Sequence, residues 1–272
     1  MSESAIPSKR PNPLRVLQLT DPHLMADPFG ELLGIRTRES LDAVIDQVRG
    51  EGRVPDLIIA SGDIAQDGSQ TAYRAFRDRV SVFDCPVIWF AGNHDDVPSM
   101  NAVIEETESA RRRVLTGGWQ FIGLDSSVPG HVHGALSDDE LQYLRDCLAE
   151  CPKTPTLVAL HHHPVDVGCD WMAAIGVRNG AELMDLLRRS PQVKIVLWGH
   201  IHQVFDRVEG HLRMLASPST CIQFAPDSSD FAVDQRSPGY RWLELGPDGD
   251  VDTWVRRVDH FEMTVELDSD GY

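Results

Sequence analysis

The chain has 272 residues, its 25 Lys and Arg are set against 42 Asp and Glu for a formal net charge of −17, and 42% of its residues are hydrophobic. That balance excludes wholesale disorder and collagen-like repeats, and a surface this negative repels phosphate polymers and anionic membranes, so neither nucleic acid nor membrane is an expected partner. Residues 1–14 read as a flexible, polar N-terminal segment, and no later run reaches the roughly eighteen apolar residues of a membrane span. Five scattered cysteines, an odd number, suit a reducing compartment. A cytoplasmic location is therefore expected.

In chain order, short apolar runs alternate with amphipathic stretches. Residues 16–20 read as a strand, and 40–48 as a helix with Leu41, Val44, Ile45 and Val48 at helical spacing. Residues 57–60 are a strand, 71–82 a helix and 86–91 a strand again. After an irregular stretch, 119–124 is a strand, and a helix starts at Ser137, whose spacing to Glu140 is that of a capping box. Then come a strand at 156–160, a helix at 179–189 and a strand at 193–198. The last part changes style, with strands at 213–216, 240–245 and 251–258 separated by Pro, Gly and Asp turns. Near-continuous apolar runs mark strands buried on both faces. The expected fold is α/β, a two-sheet β-sandwich core flanked by helices, as a single domain over 15–260. C-terminal β-structure from about residue 213 would close the second sheet, and 261–272 would be an acidic tail.

Residue types able to hold a metal fall at the ends of five of these strands: Asp21-Pro22-His23, Gly62-Asp63, Gly92-Asn93-His94-Asp95, His161-His162-His163-Pro164 and Gly199-His200-Ile201-His202. Functional groups gather beyond the carboxyl ends of strands because loops converge there over a crevice. Asp21 and His23 stand two apart in extended chain, so both project to one side; His200 and His202 repeat this. The glycines before Asp63, Asn93 and His200 point to close backbone approach. Oxygen and imidazole donors without thiolate suit Mn, Fe, Zn or Co. Seven candidates (Asp21, His23, Asp63, Asn93, His161, His200 and His202) exceed what one ion takes, so two ions at about 3.5–4 Å sharing a carboxylate is the economical reading, with Asp63 as the bridge. Within the triple histidine alternate residues face opposite ways, so His161 and His163 share one side and His162 takes the other. His131 and His133 could line the substrate side, and Trp171 could stack a base.

The ordered blocks D-x-H, G-D, G-N-H-D, strand-end His and G-H-x-H, spanning Asp21 to His202, resemble the calcineurin-like metallophosphoesterase superfamily. The resemblance implies a four-layer αββα architecture and two metal ions, Fe and Mn foremost, with Zn or Co as alternatives. One ion would be held by Asp21, His23, Asp63 and His202, the other by Asp63, Asn93, His161 and His200, with a metal-bridging hydroxide as nucleophile. Likeness to relatives that read strand-H-H-P-P is what implies His161 as the ligand ahead of His162, with His163 third. Asp63 and His94 would be catalytic, His94 contacting the phosphate and protonating the leaving oxygen; His23, Asn93 and His202 would share the substrate side with it. The segment after Gly62-Asp63 departs from Ser/Thr protein phosphatases, whereas the triple histidine, Gly199 to Gln203 and Ser217 to Phe224 look like bacterial class III cyclic-nucleotide phosphodiesterases. The implied reaction is hydrolysis of 3′,5′-cyclic AMP to 5′-AMP by a monomer or homodimer. The alternatives are another small phosphodiester, either a 2′,3′-cyclic nucleotide or a glycerophosphodiester, and a catalytically inactive scaffold.

Overall fold

The computed structural model describes residues 13–106 and 112–266; the rest of the predicted N-terminal segment and the end of the predicted tail lie outside the described residues. Two main sheets are built from β1 (Leu14–Leu19), β2 (Leu57–Ala60), β3 (Val87–Trp89), β4 (Arg113–Thr116), β5 (Trp119–Gly123), β6 (Thr156–Ala159), β7 (Val193–Trp198), β8 (Phe205–Glu209), β9 (Leu212–Ala216), β10 (Gly239–Leu245) and β11 (Val251–Arg257). The first sheet has the order β11-β10-β1-β2-β3 and the second β8-β9-β7-β6-β5-β4. In the first, β1, β2 and β3 run parallel; in the second, β9, β7, β6 and β5 do.

Both faces of these strands are buried, which is why their sequences are continuously apolar. Val16, Leu57, Ile59 and Ile88 of the first sheet meet Phe121, Leu157, Ile195 and Leu197 of the second in a core between the sheets. The alternate residues Leu17, Ile58 and Ala60 point outward onto Leu41, Val44 and Val48 of α1 (Thr37–Gly50) and Tyr73 and Phe76 of α2 (Gln70–Val80). On the other side, Val158, Val196 and Trp198 meet α4 (Asp138–Glu150) and α5 (Gly180–Arg188) through Leu144 and Leu187. A side-chain period of two thus assigns each strand residue to one of two cores, giving helix, sheet, sheet and helix layers. Each fully buried side chain contributes about 1.5–3 kcal/mol. Ser137 caps α4 as predicted, its hydroxyl accepting from Glu140 N at 3.1 Å.

Several expectations need correction. The stretch after residue 91 contains α3 (Val97–Ile104), capped by Asp96 with Pro98 in its first turn, and then β4. Asp and Pro at those positions are start signals, but the helix is too short to show a period. Strand β8 was hidden because it is an edge strand with polar residues facing out. The C-terminal ribbon does not close the second sheet. Strand β10 pairs antiparallel with β1, Leu17 opposite Trp242, so β10 and β11 widen the first sheet and only β8 and β9 extend the second. A strand's own pattern does not encode which free edge it joins. The buried Arg241 on β10 helps settle that choice, donating to Ala216 O at 2.8 Å and Ser217 Oγ at 3.2 Å across the sandwich. Burial lowers its pKa to about 10, which leaves the guanidinium charged and in need of those acceptors. Past Val258 the chain is irregular, with Phe261, Met263 and Val265 lying against the cores. Among the described residues, no helix is long and apolar enough to cross a membrane.

Candidate metal centre

The parallel arrangement sends the carboxyl ends of β1, β2, β3, β6 and β7 to one end of the sandwich, where all seven predicted ligands converge. Asp21, His23, Asp63, His161 and His202 are essentially inaccessible to solvent. His202 Nε2 is 3.3 Å from Asp21 Oδ1, His161 Nε2 is 3.3 Å from Asp63 Oδ2, and His23 Nε2 is 3.9 Å from Asp63 Oδ2. Ligand atoms of Asp21, His23 and His202 lie within 4.8 Å of one another, as do those of Asp21, Asp63 and His161, so the two carboxylates link the groups. His23, Asp63 and His94 form a third such group, and His161, His162 and His200 a fourth.

The local backbone is strained where it carries these side chains. Asp21, His23, Asp63, His200 and His202 all have positive φ, between 47° and 64°. Each costs roughly 1–3 kcal/mol in a non-glycine residue, and such strain persists only where surrounding structure enforces it. The glycines do what their positions suggested. A Cβ on Gly199 would lie 2.8 Å from Asp21 Oδ2, and one on Gly92 would be 2.5 Å from Asp63 N and closer still to its carboxylate. We expect Gly92→Ala to destabilise the chain by about 3 kcal/mol or more, because the obstacle is backbone and cannot swing away. Gly50→Ala, with open space around its Cβ, is the control. Equal melting temperatures for the two variants would contradict this.

The rings are aimed by hydrogen bonds on their far nitrogens. His161 Nδ1 donates to Ser61 O at 2.7 Å, His202 Nδ1 to Ile222 O at 2.9 Å and His23 Nδ1 to Gln66 Oε1 at 2.7 Å. With Nδ1 of each ring engaged by these acceptors, Nε2 faces inward. His23 Nε2 and His202 Nε2 stand only 3.3 Å apart. Two acceptor lone pairs at that distance repel unless a cation lies between them and Asp21. Asn93 Oδ1, His161 Nε2 and His200 Nε2 are buried without a hydrogen-bond partner. Buried ring nitrogens and an amide oxygen without hydrogen-bond partners, beside two carboxylates, are the donor set a dinuclear cation site requires, so the residues present fit the group.

Charge is tuned to match. Burial drives His23 down to about 3 and His200 well below its ordinary range, so both rings are neutral donors. Burial would raise Asp21 and Asp63, but His202 holds the first down and His161 and His94 the second. Burial likewise pushes His161 down, yet Asp63 and Asp21 outweigh it and hold the ring up to about 9. A cation bound through Nε2 must displace that proton, so affinity should fall roughly tenfold per pH unit below 9. Calorimetric titration with Mn²⁺ at pH 7.5 in two buffers of different protonation enthalpy should register close to one proton released. Identical heats would refute it.

The triple histidine is resolved by geometry. His161 Nε2 faces Asp63, whereas both nitrogens of His162, though close to His161 and His200, are already engaged, with Ser126 Oγ at 2.8 Å and Val132 O at 3.1 Å. His163 lies behind a predicted ligand, stacked on His200 at 5.8 Å. His94 stands half-buried at the mouth, its ring edge-on to His23 at 5.1 Å and its N–H donating to Asp63 Oδ1 at 2.9 Å. Asp95, whose carboxyl burial raises to about 6, accepts from Ala65 N at 2.9 Å and Gly92 N at 2.8 Å, stapling the Asp63 loop to the Asn93 loop. Trp171 is half-buried, its ring in T-shaped contact with Phe224 and Phe231, each at 5.3 Å. Gln66 and Ser61 had no signal in the sequence, because a polar loop residue acquires its meaning only from the ring it faces.

Two facing sheets that gather Asp, Asn and His at the ends of their parallel strands define a metallophosphoesterase centre, and the chain belongs to the calcineurin-like phosphoesterase family, whose model matches residues 14–204. Over 94% of its length, and 94% of the relative's, it is 48% identical to the 3′,5′-cyclic adenosine monophosphate phosphodiesterase CpdA of Pseudomonas aeruginosa. It is 42% identical to CpdA of Escherichia coli K12, covering 95% of both chains, and 38% identical to a 3′,5′-cyclic-nucleotide phosphodiesterase of Nostoc, covering 94% and 96%. A dimetal phosphatase from Danio rerio shares the fold at a TM-score of 0.63 and 16% identity, over 92% of this chain and all (100%) of that one. A purple acid phosphatase from yellow lupin does so at 0.58 and 14%, over 92% and 56%.

Proposed function

We propose that the chain hydrolyses the cyclic phosphodiester of 3′,5′-cAMP to 5′-AMP. The observation that carries this reading is the clustering of Asp21, His23, Asp63, His161, His200 and His202, with Asn93 Oδ1 buried and lacking a hydrogen-bond partner, in a chain 48% identical along most of its length to a cAMP phosphodiesterase. Asp21, His23, Asp63 and His202 would hold one ion and Asp63, Asn93, His161 and His200 the other. When bound, the pair would acidify an attacking water and offset charge building on the phosphoryl oxygens. Asp63 sets the spacing of the two halves. His23, Asn93, His94 and His202 face the phosphate, and His94, half-buried at the mouth, donates its proton to the 3′ oxygen as the P–O3′ bond breaks. The products are then a 5′-phosphate and a free 3′-hydroxyl. Donors of nitrogen and oxygen only favour Fe or Mn, with Zn and Co compatible. We read residues 15–260 as one functional domain because both sheets supply ligands, and place it in the cytoplasm on its free thiols. The partner is a small cyclic nucleotide, and the enzyme acts as a monomer or homodimer.

The test is a hydrolysis panel with Mn²⁺: 3′,5′-cAMP, 3′,5′-cGMP, 2′,3′-cAMP and glycerophosphodiesters, compared by kcat/KM. The largest value should belong to 3′,5′-cAMP. A larger one for 2′,3′-cAMP or a glycerophosphodiester would replace the substrate while keeping the chemistry, and inactivity throughout in a metal-loaded chain would leave a scaffold.

A further inference from the structure

One imidazole holds both legs of the loop that spans residues 126–134. His162 Nδ1 lies 2.8 Å from Ser126 Oγ and Nε2 lies 3.1 Å from Val132 O. A carbonyl only accepts, so the ring proton sits on Nε2 and the Ser126 hydroxyl donates to Nδ1. The backbone N–H of His162 returns a bond to Ser126 Oγ at 3.3 Å. A Cβ on Gly134 would lie 2.5 Å from His162 Cγ, so the second leg rests directly on the ring. Ala135 N closes the base of the loop on Ser126 O at 3.0 Å.

The tip of this loop, residues 127–130, forms the outer wall of a cavity of about 560 Å³ whose floor includes Asn93 and His94. That volume is in the range of small-molecule sites. Asp67 and Asp96 stand among the lining residues. Both stay ionised, Asp67 accepting from Ala26 N at 2.7 Å and Asp96 from Ser99 N at 2.9 Å. Carboxylates there repel a second phosphate and accept from amino and hydroxyl groups, while Val128, Pro129 and Pro98 offer apolar surface. A neutral nucleoside attached to a phosphate over the metal centre meets all these conditions.

We propose, resting on the cyclic-nucleotide reading above, that this cavity receives the nucleoside portion of the substrate and that His162 is a positioning residue that holds its outer wall opposite His94. The adjacent ring, His161, faces Asp63, so successive residues of one strand end serve the ions and the wall in turn.

The test compares 3′,5′-cAMP with methyl p-nitrophenyl phosphate, a diester without a nucleoside, in Mn²⁺-loaded protein. Ser126→Ala, which frees one leg, should lower the ratio of the two kcat/KM values about tenfold, through KM for cAMP, with Mn²⁺ content per chain as in the wild type. Val128→Trp, which fills the cavity from its exposed side, should lower the ratio at least as much, and Ser126→Thr should restore it. An unmoved ratio in Val128→Trp overturns the nucleoside site. An unmoved ratio in Ser126→Ala alone, or loss of Mn²⁺ from it, overturns the role of His162. Should the alanine variant fail to fold, Ser126→Cys, which keeps the volume and weakens the bond, is read the same way. A wild-type chain that cleaves the aryl diester but not cAMP sinks the cyclic-nucleotide reading instead, whatever the variants do.

Discussion

Asp63→Ala should reduce kcat by more than about 10⁴ and leave the protein holding less than one equivalent of metal. Asp63 is the carboxylate that approaches both His161 and His23, at 3.3 and 3.9 Å, and its loss removes half the negative charge that draws cations to a cluster of imidazoles. The alanine also withdraws the acceptor for His94 N, so the Asn93 loop loses one of its ties to β2. Asp63→Asn separates charge from shape. It keeps an oxygen for His94 N and should melt within a few degrees of the wild type, yet still lose about 10³ or more in kcat. Metal analysis by mass spectrometry alongside steady-state rates checks both. Full metal content in Asp63→Ala would show that the two halves of the site do not share this residue.

His94→Ala should cut turnover of cAMP by about 10²–10⁴ while both ions are retained, the usual span for losing a proton donor or a phosphate contact. The leaving group discriminates between those two roles. A 3′ oxygen is a poor leaving group and needs the proton, whereas p-nitrophenolate departs unaided, so the loss should be at least tenfold smaller with an aryl diester. Equal losses on both substrates would make His94 a phosphate contact only. Loss of metal would put it among the ligands, which the closeness of His23, Asp63 and His94 leaves as a definite outcome.

Much of this centre was legible because its code is local. A near-continuous apolar run, as along 57–60 and 193–198, is what strands buried on both faces require, so the strand positions could be read within a residue or two. Once a strand end is known, the polar residue just past it is a candidate ligand. The same logic failed where the pattern is weak. The edge strand β8 presents Asp206, Arg207 and Glu209 to solvent, and α3 is eight residues long, too short for its apolar positions to show a period.

The sequence by itself determined the inventory of donors, their order along the chain and the strand ends that carry them, because these follow from residue chemistry and a period of two. Only the tertiary structure decided which of three consecutive histidines turns inward, which nitrogen of each candidate ligand ring faces the centre, and which sheet the C-terminal ribbon joins. The physical reason is distance along the chain. The acceptor that aims His161 is 100 residues away, the one that aims His23 is 43 away, and the ring nitrogens of His23 and His202 that meet at the centre are 179 apart. Orientation and protonation are set by partners that only folding brings within hydrogen-bonding reach.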